Sequence, residues 1–359
     1  MIKKKVYKDV EMVAGGIYKL LKGIFLAGIT FYYFAGLCGT SDTISVNGNT
    51  LELEQLENMV EKIENENLGI NSVIIVKNNQ LVFERYFNEN EKDNLQLTYH
   101  IINSVISTLI GICIDCGLIE NVNQKVITFF PEYKEKITDS LQYKITIEHL
   151  LTMTGGYEWE SEHHNNEIKE FVENPDLLEY MFSCSIANDP GTAFSQNSGG
   201  IFLLAKIIEK ATSTTIEKFA DEKLFKPLEI HNYKWERDST GKTKGAYALH
   251  MSPRDLAKFG CLYLNEGLWN GKEIVKKEWI KKATELHFEL SPIVPISKEI
   301  EQNGMGYLWW NFSGMYAAQG HSGQKLFVIP SKNAVVVITA NVPFYLPTRL
   351  YLDFIRDAI

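Results

Sequence analysis

The sequence predicts an α/β fold of the α+β kind: a mainly antiparallel sheet flanked by helices, with a helical subdomain set into it. Three observations predict it. β-rich runs lie near both ends of the body. The stretch from about 98 to 285 reads as helix and loop, and no internal repeat or low-complexity tract breaks the pattern. One sheet completed by the two ends of the chain, with a helical insertion between them, buries all of these faces.

The chain opens on a basic segment, 1–22, in which six Lys stand against Asp9 and Glu11. Residues 23–41 follow without a charge and have the length of a membrane-spanning helix. Basic residues preceding an apolar stretch set its cytoplasmic side, so the prediction is a single uncleaved anchor in the cell membrane with the main domain extracytoplasmic. The alternative is a signal peptide removed on secretion, whose apolar region is normally shorter. Ala35-Gly36-Leu37-Cys38 resembles a lipoprotein signal, but Leu37 is a poor fit to the small residue expected before the cysteine. Residues 42–49 read as a linker, and 50–359 as one domain.

Within that domain, Leu51, Leu53, Leu56, Met59, Val60 and Ile63 recur at helical spacing and predict a helix over 51–63. Residues 72–77 and 81–86 are β-rich runs around Asn78-Asn79-Gln80, a hairpin signal. Strands return at 307–311, 315–318, 325–329 and 334–340, and 350–359 reads as a closing helix.

Composition narrows the function classes. Hydrophobic residues make up 45% and charged residues 23%, which excludes wholesale disorder. Net charge is −9, and because 1–22 carries +4 the remainder carries −13. An acidic body is a poor partner for nucleic acid. The five Cys form no framework. Cys113 and Cys116 stand three apart in an apolar helical run without a second pair or histidines at zinc spacing, so they read as small core residues.

Six blocks then carry chemistry. They are Leu109-Ile110-Gly111-Ile112-Cys113-Ile114-Asp115-Cys116-Gly117-Leu118-Ile119; Ile145-Thr146-Ile147-Glu148-His149-Leu150-Leu151-Thr152-Met153-Thr154-Gly155-Gly156; Pro190-Gly191-Thr192-Ala193-Phe194-Ser195; Leu224-Phe225-Lys226-Pro227-Leu228; Met251-Ser252-Pro253-Arg254-Asp255-Leu256-Ala257-Lys258-Phe259-Gly260; and Gly320-His321-Ser322-Gly323-Gln324. In order and spacing they resemble the serine β-lactamase and penicillin-binding-protein family, in particular its class C-like β-lactamases, esterases and amide hydrolases, across roughly 50–359. The resemblance implies the β-lactamase/transpeptidase-like fold and acyl transfer through a serine ester, without a cofactor. The family needs Ser-x-x-Lys at a helix start, because a spacing of three puts both side chains on one helix face. The Lys helps remove the Ser proton, a Tyr of the second motif relays it, and a strand N–H helps form the oxyanion hole.

This sequence departs at those positions. Tyr99-His100-Ile101-Ile102-Asn103-Ser104 stands where the family reads Tyr-Ser-x-x-Lys-Ser, so His100 holds the nucleophile position and Asn103 the Lys position. Gln196 holds the Tyr position, followed by Asn197 and Ser198. The third motif, His321-Ser322-Gly323, stays within the family's range. Asn197, Ser198, His321, Ser322 and Gly323 are therefore candidate binding residues beside the substituted His100, Asn103 and Gln196. An Asn amide accepts no proton near pH 7. Loss of a general base removes ~10²–10⁴-fold in rate, and loss of the nucleophile removes the covalent route. The chain is predicted inactive as a Ser-Lys hydrolase.

Replacements are few. Ser239-Thr240-Gly241-Lys242 and Ser322-Gly323-Gln324-Lys325 have the spacing but start no buried helix. Ser104 is the nearest other hydroxyl, but its partner three residues on is Ser107, and one helical step turns it about 100° away from the cleft. His100 and His321 are expected to face each other across the cleft; with Gln196 and Asn103 they could hold an anion or a carbonyl. Two neutral nitrogens plus amides fall short of a metal site. Glu162-His163-His164 lacks helical spacing and reads as solvated loop. Of Trp309 and Trp310, one is expected in the core and the other at the cleft, while Tyr157 and Trp159 could form an aromatic wall.

The expected function is a membrane-anchored, non-catalytic or repurposed homologue that binds a small-molecule or peptide-like ligand of peptide, amide or ester character in the ancestral cleft. Two alternatives stay open: a hydrolase or acyltransferase using His100 or another group, and a structural or partner-binding protein of the envelope.

Overall fold

The computed structural model describes residues 52–158, 176–237, 245, 248–290 and 302–359. The N-terminal segments at 1–22, 23–41 and 42–49, the Glu162-His163-His164 loop, Trp159 and Ser239-to-Lys242 lie outside the described residues. Among the described residues no helix is long and apolar enough to cross a membrane.

Helix α1 spans Leu53–Asn65 and buries Leu56, Met59 and Ile63, the stripe its periodicity predicts. Strands β1 (Ile70–Lys77) and β2 (Gln80–Tyr86) form the expected hairpin. Asn78 (φ 51°) and Asn79 (φ 59°) both take the left-handed conformation that a tight hairpin turn needs and Asn tolerates. After β3 (Gln96–Leu97) comes α2 (Ile101–Asp115), buried from Ile101 to Cys113. Gly111 makes this packing possible, because a Cβ there would sit 2.4 Å from the Trp279 ring.

The helical part continues with α3 (Ile147–Leu151), α4 (Leu177–Ser183), α5 (Ser198–Thr212) and α6 (Ile216–Ala220). Strands β4 (Tyr233–Trp235) and β5 (Leu249–Met251) join β3 in a small sheet of order β3-β5-β4. Then follow α7 (Pro253–Leu264), the short hairpin β6 (Leu268–Trp269) and β7 (Lys272–Glu273), and α8 (Lys277–Thr284). The last strands are β8 (Phe288–Glu289), β9 (Gln302–Met305), β10 (Trp310–Phe312), β11 (Met315–Gln319), β12 (Lys325–Ile329) and β13 (Ala334–Ala340). Helix α9 (Leu346–Leu350) runs on through a wider turn over Tyr351–Ile355.

The main sheet is antiparallel throughout, in the order β2-β1-β13-β12-β11-β10-β9-β8. The N-terminal hairpin pairs with the C-terminal strand, Val73 opposite Ile338 and Ile75 opposite Val336, so the two ends complete one sheet as the sequence predicts. On one face, Leu56, Met59 and Ile63 of α1 share a core with Phe327, Val336, Tyr351 and Ile355. On the other lies α7. Its Gly260 permits contact that an alanine would not, since a Cβ there would lie 2.6 Å from Val335 and 2.7 Å from Leu326.

Two expectations are corrected. Residues 307–311 do not form one strand: the strand is Trp310–Phe312, and Leu308 before it has φ 61°. The backbone groups of Leu308 go to the helical part instead. Its N–H donates to Leu151 O at 2.8 Å, and its carbonyl accepts from Ser104 Oγ at 2.7 Å. The closing helix begins at Leu346 rather than 350, with Pro347 in its first turn, where the missing N–H has no intrahelical partner to lose.

Candidate functional site

Three stretches build the cleft. The first is the approach to α2. Both the N–H and the Oγ1 of Thr98 donate to Leu249 O, at 2.9 and 2.8 Å, which ties the residues before α2 to the small sheet. Tyr99 follows with φ 47°, a turn that sends the chain into the helix. His100 caps α2 through its backbone position, without a side-chain capping bond, and its imidazole is half-buried. Asn103 lies one turn further along. It is 6% exposed, and its amide makes no hydrogen bond to a described residue.

The second stretch is 194–198. Nε2 of Gln196 lies 3.5 Å from Nδ1 of His100, the far limit of a hydrogen bond. Asn197 is buried and spends its Oδ1 capping α5, accepting from the Gly200 N–H at 2.6 Å. Ser198 begins α5, half-buried.

The third stretch is the turn after β11. Gly320 packs so closely on the first that a Cβ would lie 2.5 Å from Thr98 O and 3.1 Å from Tyr99 Cβ. The exposed His321 ring has its centroid 5.6 Å from that of Tyr99. The ring packed on His321 is thus that of Tyr99, one residue before His100. Ser322 has φ 54°, and its carbonyl accepts from the Val342 N–H at 3.2 Å. Gly323 (φ 86°) leaves no room for a Cβ, which would lie 2.8 Å from Val342.

The structure brings the three motifs together, and among the described residues none of the possible replacements stands in a nucleophile–base geometry. Ser104 is 1% exposed and its hydroxyl holds Leu308 O. Lys325 is fully buried, and its Nζ donates to Oε1 of Gln319 rather than to Ser322. Cys113 is buried with its thiol pushed up to about 12 by burial, so it carries no thiolate near neutral pH. Among the described residues no group of three His, Cys, Asp or Glu is placed to hold a metal.

Some blocks prove to be structural. His149 and Thr146 form a reciprocal cap on α3: Thr146 Oγ1 accepts from the His149 N–H at 3.2 Å, and His149 Nδ1 accepts from the Thr146 N–H at 3.3 Å. Burial, with Lys125 adding to it, holds the His149 pKa below its ordinary value, as an accepting imidazole requires. Tyr157 is core, bridging to Ile186. Trp309 is core, whereas Trp310 is half-buried, 5.9 Å from Phe194, whose ring is 6.3 Å from Phe288. Sequence reasoning singled out Trp310 as one of two tryptophans of which one was expected at the cleft, but not Tyr99, Phe194 or Phe288. The only signal for Tyr99 was its place before the helix start; for Phe194 it was its place two residues before Gln196.

Comparisons with known proteins accord with this geometry. Residues 62–357 match the family described as Beta-lactamase. An uncharacterized protein of Alkalihalophilus pseudofirmus is 25% identical over 312 residues, 75% of this chain and 83% of its own. A Bacillus anthracis structure assigned as a 6-aminohexanoate-dimer hydrolase superposes with a TM-score of 0.69 at 21% identity, over 82% of this chain and 80% of its own. EstCE1, described as a hydrolase with promiscuous acyltransferase activity, superposes with a TM-score of 0.70 at 14% identity, over 85% of this chain and 97% of its own. At these identities the two superpositions establish the fold, an antiparallel sheet flanked by helices.

Proposed function

Because this chain belongs to the Beta-lactamase family, we propose that it keeps the family's cleft and has given up serine acyl transfer, binding a peptide-, amide- or ester-like ligand there without forming an ester to it. The observation that carries the reading is the start of α2. The nucleophile and Lys positions are His100 and Asn103, with the Gln196 amide 3.5 Å from the imidazole. Among the described residues no hydroxyl sits beside an amine at this place. The two nearest candidates are spent elsewhere, Ser104 on Leu308 O and Lys325 on Gln319.

The same residues suit binding. His100, Gln196 and the buried Asn103 amide offer donors and acceptors to a carbonyl group, and Asn103 has no partner among the described residues. Phe194 and Trp310 supply apolar surface two residues from Gln196 on one side and beside β11 on the other. The apolar segment 23–41 is proposed to tether the domain outside the cytoplasmic membrane, with alkaline carbonate extraction as its test. A protein released into the supernatant would contradict the tether.

The functional test is intact-mass spectrometry of the full chain after exposure to a fluorophosphonate and to penicillin, beside the variant His100→Ser, Asn103→Lys, Gln196→Tyr. The expected result is an unlabelled native chain and an acylated variant. A stable adduct on the native chain would overturn the proposal, and peptide mapping would then name the true nucleophile.

A further inference from the structure

Side chains alternate across a strand, so Lys325 on β12 points to the same face as Phe327 and Ile329, both members of the core beneath α1 and α9. Lys325 is 0% exposed. An amine so placed must either shed its proton or find an anion, and burial does lower its pKa well below the ordinary lysine value.

Among the described residues no carboxylate pairs with it. The single hydrogen bond from Nζ goes to Oε1 of Gln319, the residue directly opposite on β11. Gln319 is 4% exposed, and its Nε2 has no partner. Nζ lies 3.2 Å from the centroid of the Phe344 ring. Phe344 is itself 42% exposed and Tyr345 beside it 59%, so the ring packed on the amine also reaches solvent. That ring belongs to a segment fastened to the third motif, through the bond from the Val342 N–H to Ser322 O.

We propose that Lys325 and Gln319 form a binding site for a small carboxylate, closed by Phe344 as a lid and opening beside His321. One carboxylate oxygen accepts from Nζ, and the other from the unpartnered Nε2 of Gln319. Binding takes up a proton from solvent at Nζ, and the anion is the counter-charge to the resulting ammonium, in the charge-assisted geometry that makes such bonds strong. An apolar group on the carboxylate occupies the place of the displaced ring. The site involves none of the substituted positions, so it stands whether or not the cleft is catalytic.

The test is calorimetric titration of benzoate, and of the neutral benzamide, into the full chain and into Lys325→Met and Phe344→Ala. Benzoate is expected to bind saturably and benzamide at least about tenfold more weakly. Lys325→Met, an apolar side chain of similar length in an apolar place, should fold and lose benzoate binding. Phe344→Ala removes the ring that competes for the site and should tighten benzoate by about tenfold. Equal binding of benzoate and benzamide, native affinity in Lys325→Met, or no benzoate binding even in Phe344→Ala would each overturn the proposal.

Discussion

The start of α3 and the start of α2 carry the same kind of sequence signal and come to opposite ends. At α3, Thr146 and His149 cap each other, side chain to backbone in both directions. At α2, His100 provides no side-chain cap, and Asn103 is buried without a hydrogen bond to a described residue. One helix start is finished by its own residues; at the other the Asn103 amide stays without a bond to a described residue. A motif block can therefore persist as architecture whether or not its neighbour keeps the chemistry of the family. A buried amide without such a bond is a group that a ligand could use, and it differs in that from the residues that hold the fold.

If that separation is right, architectural positions should register in stability and cleft positions should not. The largest loss is expected at Gly111, where a methyl group would lie 2.4 Å from Trp279. Gly111→Ala should cost about 3 kcal/mol in urea unfolding, while Asn103→Ala, which breaks no bond among described residues, should cost less. An Asn103→Ala loss equal to that of Gly111→Ala would erase the distinction.

Lys325 should move stability the other way. Lys325→Met is expected to stabilise the chain by about 1–3 kcal/mol at neutral pH. Between its lowered folded pKa and 10.5 the buried amine binds fewer protons folded than unfolded, so native stability rises with pH across that window. The advantage of the Met variant should then shrink toward pH 10.5. The groups against the amine, Gln319 and Phe344, do not titrate. A pH-independent advantage would contradict this account.

Ser104→Ala strands the carbonyl of Leu308 and should cost about 1–2 kcal/mol. Among the architectural positions the smallest effect is at Thr146, where loss of the cap should cost about 1 kcal/mol in Thr146→Ala.

Much of the fold was legible because its signals are local. The Asn78-Asn79 turn and the α1 stripe are written in adjacent residues. The pairing of β1 with β13 followed from the need to bury both ends in one sheet. The strand expected at 307–311 failed for a reason no local pattern carries: Leu308 bonds to Leu151 and Ser104, distant in sequence. At the candidate site, the motif spacing placed His100, Asn103 and Gln196 together by resemblance, and the structure sets Gln196 Nε2 3.5 Å from His100 Nδ1. The role of Tyr99 against His321 was not legible, since it depends on a left-handed turn at a non-glycine residue. Lys325 had a visible signal, a lysine at a core-facing position of an apolar strand, which its Ser-x-x-Lys spacing masked.

The most direct test of the central claim is a stopped-flow trace of a p-nitrophenyl ester with the full chain and with His100→Ala. The account predicts no burst, and a rate in both proteins no higher than the buffer background. A burst stoichiometric with the native protein and absent from His100→Ala would mean that the imidazole has taken over as nucleophile, and that the cleft is an active site after all.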